Sequence, residues 1–263
     1  MKLLKEPLSG RSQAVLGVVG VLGSAGLAEL LLRTRVIDVP GLPVPSRVVR
    51  GVVDLVPKGE FWDQVMFTLG EWMLGLLIAA AAGVLIGGLM GAFSSIFIAF
   101  EWPVEAFRVL PSVAIGPVLV LVIGAGMLPL SLTVAMSCVW PILLNTMYGV
   151  RGTDTTAVQT ARSFGASPLR VLRQVKVPAA LPFAFTGIRI AASIGLLVAV
   201  SVELLIGSGS GIGGYILTNT ANATNLDVVY AATVVAGLLG VLVNLILAWV
   251  DRVLLAWKTG LAQ

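Results

Sequence analysis

Two ionisable side chains inside an apolar stretch are the residues of this sequence with the clearest chemical potential. Arg189 and Glu203 both lie within residues 179–206, which are otherwise uncharged. Ionisable groups are costly in hydrocarbon and usually face a cavity, a pathway or a partner. Fourteen residues separate the two, which is about 21 Å along a helix, so they cannot pair directly. Because Arg189 can instead reach the membrane boundary with its long side chain, Glu203 is the stronger candidate for a pathway or gate.

The usual catalytic side chains are scarce in this chain. It has no histidine and one cysteine, Cys138, which lies in an uncharged run. These counts exclude Ser-His-Asp and Cys-His catalysis and the usual zinc sites, and we predict no metal site. Cys138 has no partner for an intrachain disulfide, and we expect a small buried residue rather than a reactive thiol.

Two nucleotide-binding patterns are informative, one by its presence and one by its absence. Residues 209–214, GSGIGG, match G-x-G-x-x-G. They follow an apolar run rather than a strand, which favours a turn or a re-entrant loop lining a cavity over nucleotide binding. The phosphate-binding pattern G-x-x-x-x-G-K-[ST] does not occur in the sequence. Any ATP used together with this chain must therefore bind to a partner.

The composition indicates a lipid environment. Of the 263 residues, 57% are hydrophobic and 11% are charged, and the mean hydropathy is +1.00. Average soluble domains carry about 25% charged residues. The net charge is only +4 and the basic residues are dispersed, which is typical of membrane orientation signals and not of a nucleic-acid-binding surface. We predict an all-α, polytopic membrane protein with a single domain over residues 1–263.

Apolar runs predict about six transmembrane helices. The first is longer than a signal-peptide core and lacks a convincing cleavage site, so we expect it to be retained. Residues 112–150 contain no Asp, Glu, Lys or Arg and are long enough for two spans, with a turn near residues 124–129. The predicted spans are residues 12–32, 65–92, 112–127, 130–150, 179–206 and 228–250.

Two segments between these spans are predicted to be interfacial helices. Ser46 precedes a valine-rich stretch with one apolar face, which predicts that it caps a short helix lying flat on the membrane surface. Residues 94–111 contain three charged side chains and are too charged to span. Glu71 lies near the outer end of the second span, where we expect it to stay hydrated.

The second span carries small residues at a spacing of four. Ala79, Gly83, Gly87 and Gly91 would lie along one side of a helix and let a second helix backbone approach closely, as small residues do in membranes. The alternative is a composition rich in glycine and alanine with no packing role. We predict a helix-packing surface at these four positions.

The distribution of basic residues predicts the orientation. Six spans place the N-terminus, residues 159–178 and the C-terminal tail on one side, and all three carry basic residues. Positive charge favours the cytoplasmic side, so we predict both termini in the cytoplasm. Five basic residues disagree, because they would lie outside: Arg33, Arg35, Arg47, Arg50 and Lys58.

Residues 159–178, QTARSFGASPLRVLRQVKVP, form a strongly polar stretch with four basic residues between apolar spans. A basic, helical insert of this kind is best explained as a segment that a cytoplasmic partner holds. The alternative is a solvated loop that serves only membrane topology.

This stretch resembles the cytoplasmic loop of permease subunits of bacterial ABC importers. That loop is written E-A-A-x-x-x-G-A, with nine positions between its Gly and a closing I-x-L-P. Ala161, Gly165, Ala166 and Pro178 match it at the same spacing, whereas Gln159 replaces its acid and Thr160 its first alanine. The flanking segments PILLNTMYGVRGTD and LPFAFTGIRIA, and the later VELLIGSGSGIGGYI, resemble the subfamily that imports nitrate, sulfonates, taurine and related small molecules.

The resemblance covers residues 62–257 and implies a set of partners. A permease of this kind lies in the bacterial inner membrane and pairs with a second permease, identical or different. Two cytoplasmic ATPase subunits and an extracytoplasmic binding protein complete the transporter. The resemblance implies no enzymatic activity and no cofactor in this chain, because ATP and magnesium bind to the ATPase subunits.

The resemblance also implies that residues 159–178 form a coupling helix seated in a groove of the ATPase. Small side chains would permit close packing there, and basic ones would supply polar contacts. The expected coupling residues are Gln159, Ala161, Arg162, Gly165, Ala166, Ser167, Arg170, Arg173 and Pro178. From polarity at membrane depth, the candidates for the translocation pathway are Asn145, Ser201 and Glu203.

Two other functions are compatible with a polytopic membrane chain. A stand-alone secondary transporter or channel would be favoured by an inverted internal repeat, and the sequence shows no persuasive one. A membrane-embedded enzyme or assembly factor is disfavoured by the lack of a convergent polar cluster in the sequence. The importer permease is therefore the favoured hypothesis.

Overall fold

The structure is a computed structural model that describes residues 10–207, 209–221 and 226–254. The described residues form helices and no strand, which confirms the all-α prediction. The helices are α1 (Gly10–Arg33), α2 (Pro45–Leu55), α3 (Gly59–Ala92), α4 (Ser94–Phe107), α5 (Ser112–Ile123), α6 (Met127–Arg151), α7 (Thr155–Ser163), α8 (Pro168–Val171), a π-helical turn (Leu172–Lys176), α9 (Val177–Ile206), α10 (Gly211–Ala221) and α11 (Leu226–Leu254).

Five of the helices in the described part of the chain are long and apolar enough to cross a membrane: α1, α3, α6, α9 as extended by α8, and α11. Residues 112–127 were predicted to cross the membrane as one helix, and this prediction is wrong. Their counterpart α5 has 12 residues and is about 18 Å long, less than the 30 Å of a hydrocarbon core. Instead α4, which was predicted to be interfacial, meets α5 at an angle of 91°, and together they are apolar and long enough for one broken span.

The packing of α3 against α6 shows that this broken span crosses. A Cβ added at Gly75 would meet Ser131 and Val134, and one added at Gly91 would meet Val150. Residue numbers therefore rise together along the contact, so the two helices run in the same direction. The chain between them must return across the membrane, which makes the α4–α5 pair the sixth crossing among the described helices.

Small residues of α3 line its contact with α6. Ala79 is buried, and a Cβ at Gly83 or Gly91 would lie only 2.9 or 2.6 Å from the nearest α6 atom. Gly87 approaches the Leu143 backbone more closely still. The four small residues thus lie where the backbones of α3 and α6 come closest, as small residues allow in membranes.

Helix α9 packs antiparallel to α3 and α6 and completes the core. Trp72 Nε1 donates to the Ala192 carbonyl at 2.9 Å, and the Cys138 thiol donates to the Ala191 carbonyl at 3.2 Å. Cys138 is fully buried, as expected of a structural cysteine. The cluster around these contacts also includes Leu76, Ala79, Val134, Ala135, Ile142, Leu196 and Ala199.

The start of α2 differs from the prediction that Ser46 caps it. The residue before α2 is Val44, which makes no side-chain cap, and Ser46 lies inside the first turn. Its backbone N–H and its hydroxyl donate to the Glu29 carboxylate of α1, at 2.9 and 2.8 Å. A neighbouring helix therefore supplies the acceptor that the first turn of α2 needs.

We expect Gly87→Ala to lower the free energy of unfolding by about 1–3 kcal/mol, because the added methyl group would displace the α6 backbone. Denaturation of the purified chain in detergent micelles would measure the change. Gly88→Ala is the matched control, since a Cβ there meets nothing within 4 Å. Equal stability of the two variants would contradict the close approach of α3 and α6.

Candidate functional site

The connection between α6 and α9 (residues 152–176) contains most of the predicted coupling residues. Asp154 caps the start of its helix α7, because the Asp154 side chain accepts the Thr156 N–H at 2.8 Å. It ends where Gly165 adopts a φ of +77°. The Gly165 and Ala166 N–H groups turn back to carbonyls of the last helical turn, at 2.9 and 3.1 Å, which is the hydrogen-bond pattern of a Schellman cap.

This geometry gives Gly165 a role in the backbone of this chain, and its predicted close packing against a partner stays a prediction. A Cβ at Gly165 would meet no atom of this chain within 4 Å, so the glycine does not serve packing within the chain. Its positive φ favours glycine because other side chains are strained there. Gly165 therefore sets the turn between α7 and α8.

The second half of the connection continues directly into a transmembrane helix. Ser167 caps α8 by accepting the Arg170 N–H at 3.4 Å. Residues Pro168–Ile206 then form a continuous helix of 39 residues, which is about 58 Å long and exceeds the 30 Å hydrocarbon core. Its first turns, with Arg170 and Arg173, therefore extend beyond the hydrocarbon.

Two large apolar side chains on this connection are exposed. Phe164 is 86% exposed and Leu169 is 73% exposed, and α7 has no buried residue. Of the predicted coupling residues, Ala161, Ala166 and Pro178 are half-buried, whereas the others are exposed: Gln159, Arg162, Gly165, Ser167, Arg170 and Arg173. Phe164 and Leu169 were not predicted, and their signal in the sequence was the presence of bulky apolar residues among basic ones. Both side chains are therefore available for contact with another protein.

The other end of α9 contains a buried polar cluster that meets the start of α10. The first three N–H groups of α10 are each accepted by a side chain of α3 or α9. The pairs are Gly211 with Gln64 Oε1 (2.7 Å), Ile212 with Thr68 Oγ1 (2.9 Å) and Gly213 with Glu203 Oε2 (2.8 Å). The first N–H groups of a helix have no acceptor within that helix, and here side chains of α3 and α9 provide the acceptors.

Two acids are fully buried in this cluster. Glu203 accepts the Thr68 hydroxyl at 2.7 Å as well as the Gly213 N–H. Glu71 lies beside Glu203, and among the described residues neither of its oxygens has a hydrogen-bond partner of good geometry. The expected hydration of Glu71 is wrong, because α9 and α10 both pack against α3 and leave the side chain with 0% exposure.

The glycine-rich residues 209–214 were expected to form a turn or a re-entrant loop, and most of them lie in a helix. Gly207 and Gly209 have positive φ values of +64° and +71°, and α10 begins at Gly211. A Cβ at Gly211 would collide with the Glu203 carboxyl group, and one at Gly213 would collide with α9. The glycines therefore let a helix start approach α9, which explains the spacing without a nucleotide.

The structure does not bring the three predicted pathway residues together. Asn145 Nδ2 donates to the Pro141 carbonyl at 2.8 Å. Its Cβ lies against Gly187, about 21 Å along α9 from Ser201. Ser201 is exposed and lines a groove of about 560 Å³ between α9 and α11, while Glu203 is buried. Their role in a pathway stays a prediction.

The fold and the connection define a membrane permease, and the comparisons with known proteins agree. Residues 72–256 match the family described as binding-protein-dependent transport system inner membrane component. The chain belongs to this family, which confirms the resemblance to ABC importer permeases. It is a multi-pass membrane component of a transport system.

Individual relatives narrow the comparison. The chain is 28% identical over 225 residues to a putative aliphatic sulfonates transport permease of Bacillus subtilis, covering 86% of this chain and 81% of the relative. It is 31% identical over 193 residues to a nitrate import permease of Leptolyngbya laminosa, covering 73% and 68%. A chain of the MetNI methionine ABC transporter, in an inward-facing conformation, is similar in fold with a TM-score of 0.56. The two sequences are 20% identical, and the match covers 81% of this chain and 99% of that chain.

We expect Thr68→Val to destabilise the protein by about 1–3 kcal/mol, because the Ile212 N–H loses its acceptor and the Glu203 carboxylate loses a donor inside the protein. Denaturation in detergent would measure the loss. Thr233→Val is the control, since that exposed hydroxyl donates to the Val229 carbonyl one turn earlier in the same helix. A Thr68 variant as stable as the control would contradict the proposed importance of the cluster.

Proposed function

We propose that this chain forms the translocation pathway for a small solute of the nitrate, sulfonate or taurine class, and that separate ATPase subunits drive it through the α6–α9 connection. The substrate class rests on the named relatives, which are a sulfonate permease and a nitrate permease. The coupling role rests on the exposed apolar side chains of Phe164 and Leu169 in a basic segment.

The shape of the connection supports a docking role. Helix α7 has no buried residue, so its sides are available to a partner. Phe164 can enter an apolar pocket of that partner, while Arg162, Arg170 and Arg173 can meet acidic side chains around it. A partner ATPase that binds ATP and magnesium would provide this surface, and its closure would move α7 and tilt α9.

The proposed orientation follows from this contact. The α6–α9 connection and both termini lie in the cytoplasm, and α2 and α10 lie on the outer side of the bacterial inner membrane. On that outer side a polar cleft of about 400 Å³ is lined by Arg47, Arg50, Asp54, Lys58 and Asp227. We place the delivery of solute by a binding protein on this side, and a second permease subunit, identical or different, beside this one.

Reconstitution tests this function directly. The chain would be placed in liposomes with candidate ATPase subunits and a binding protein, and the uptake of nitrate, taurine and an aliphatic sulfonate would be followed with and without ATP. ATP-dependent uptake of at least one of these solutes is expected. Uptake without ATP and without a stable ATPase complex would instead support a stand-alone transporter or channel.

We expect Phe164→Ala to weaken the complex with the ATPase subunits by roughly thirtyfold, because the loss of a central aromatic anchor costs about 2 kcal/mol. Titration of the ATPase onto immobilised permease would measure this affinity. Thr155→Ala, at the other end of α7, is the matched control. Unchanged affinity of the Phe164 variant would remove this side chain from the contact.

We expect Gly165→Val to abolish ATP-driven uptake while membrane insertion is kept, because a β-branched residue is strained at a φ of +77°. Gly165→Asn is the comparison, since asparagine tolerates the left-handed conformation. Retained uptake in the Asn variant would show that the turn itself is needed. Loss in both variants would show that the ATPase packs against this position.

A further inference from the structure

The buried acids Glu71 and Glu203 have no counter-charge in the described structure. Each side chain has 0% exposure, and each is the other's nearest acidic neighbour in the cluster. Two adjacent carboxylates that are both buried and ionised would repel strongly and lose their hydration without compensation. One bound proton removes this conflict.

Among the described residues of α3, α5, α6, α9 and α10, no base lies close enough to neutralise the pair. Helices α5 and α10 contain no charged residue, although α10 carries Tyr215. The charged residue of α6 is Arg151, at its opposite end. On α9 the basic residue is Arg189, about 21 Å from Glu203, and the other acids of α3, Glu60 and Asp63, lie at least about 12 Å along the helix from Glu71.

Hydrogen bonding identifies which acid carries the charge. Glu203 accepts one hydroxyl and one backbone N–H, one on each oxygen. It also lies at the N-terminus of α10, where the helix dipole favours a negative group. Glu71 receives no donor of good geometry among the described residues. An ionised carboxylate needs donors, whereas a protonated one supplies its own.

We propose that Glu71 and Glu203 form a proton-binding carboxyl pair, in which Glu71 carries the proton and ionised Glu203 fastens the start of α10 to α3 and α9. Glu71 is thus a positioning residue that acts through Glu203. Loss of the proton at alkaline pH places two negative charges together and weakens the attachment of α10. The pair therefore makes the seating of α10 sensitive to pH on the outer side of the protein.

Infrared spectroscopy of the full chain in lipid nanodiscs tests this proposal without any transport assay, so its outcome is separate from that of the proposed function. A protonated carboxylic acid has a carbonyl stretching band distinct from that of a carboxylate, and the band shifts in heavy water. We expect this band in the wild-type chain at neutral pH, and its loss as the pH is raised.

Variants assign the band to a residue. Glu71→Gln and Glu71→Leu should both abolish it, so that one variant suffices if the other does not fold. Glu203→Gln should keep it, because Glu71 stays protonated in its buried position. Glu60→Gln is the control on the same helix, since Glu60 is exposed, and it should leave the band unchanged.

A matched stability measurement gives a second readout. The thermal midpoint of the wild-type chain should fall as the pH rises through the range in which the band disappears, and Glu71→Gln should not show this fall. Absence of the band in wild type, or its survival in both Glu71 variants, would overturn the proposal. A band that appears only when sodium is replaced by choline would also overturn it, because the pair would then bind a metal cation.

Discussion

The close approach of α3 and α6 is the contact on which the rest of the membrane domain depends. The α6 backbone occupies space that a side chain at Gly87 would need. In lipid the hydrophobic effect does not drive helices together, so packing at this distance is the main source of attraction. Because the two helices run in the same direction, the chain between them must recross the membrane as the broken pair α4–α5. Helix α9 then fills the antiparallel position beside both.

The short helices outside the membrane core receive acceptors from the spans. Ser46 in the first turn of α2 donates to Glu29 of α1. The first backbone N–H groups of α10 donate to side chains of α3 and α9. An open amide buried away from water costs several kcal/mol in an apolar medium. Since these acceptors belong to the spans and not to the short helices themselves, the position of each short helix depends on how the spans are packed.

The parts of the fold that depend on local pattern could be predicted, and the parts that depend on distant partners could not. Long apolar runs predict α3, α6, α9 and α11, because hydrocarbon thickness fixes their length. The broken span was missed because α4 carries charge and α5 is short, and only the direction of α6 shows that they cross. The burial of Glu71 was also missed, because nothing near it in the sequence indicates that α10 covers it. In the site, the motif found Gly165 but not its backbone role, and Phe164 matches no motif position.

The unbroken helix Pro168–Ile206 joins the two polar regions of the molecule mechanically. One end carries the basic turns next to α7, and the other carries the carboxylate that receives α10. From Pro168 to Glu203 the helix measures roughly 52 Å, so a tilt of about 3° about one end displaces the other by roughly 3 Å, which is the length of a hydrogen bond. The helix can therefore act as a lever, in which a small rotation at the end next to α7 displaces the end next to α10 by the length of one hydrogen bond.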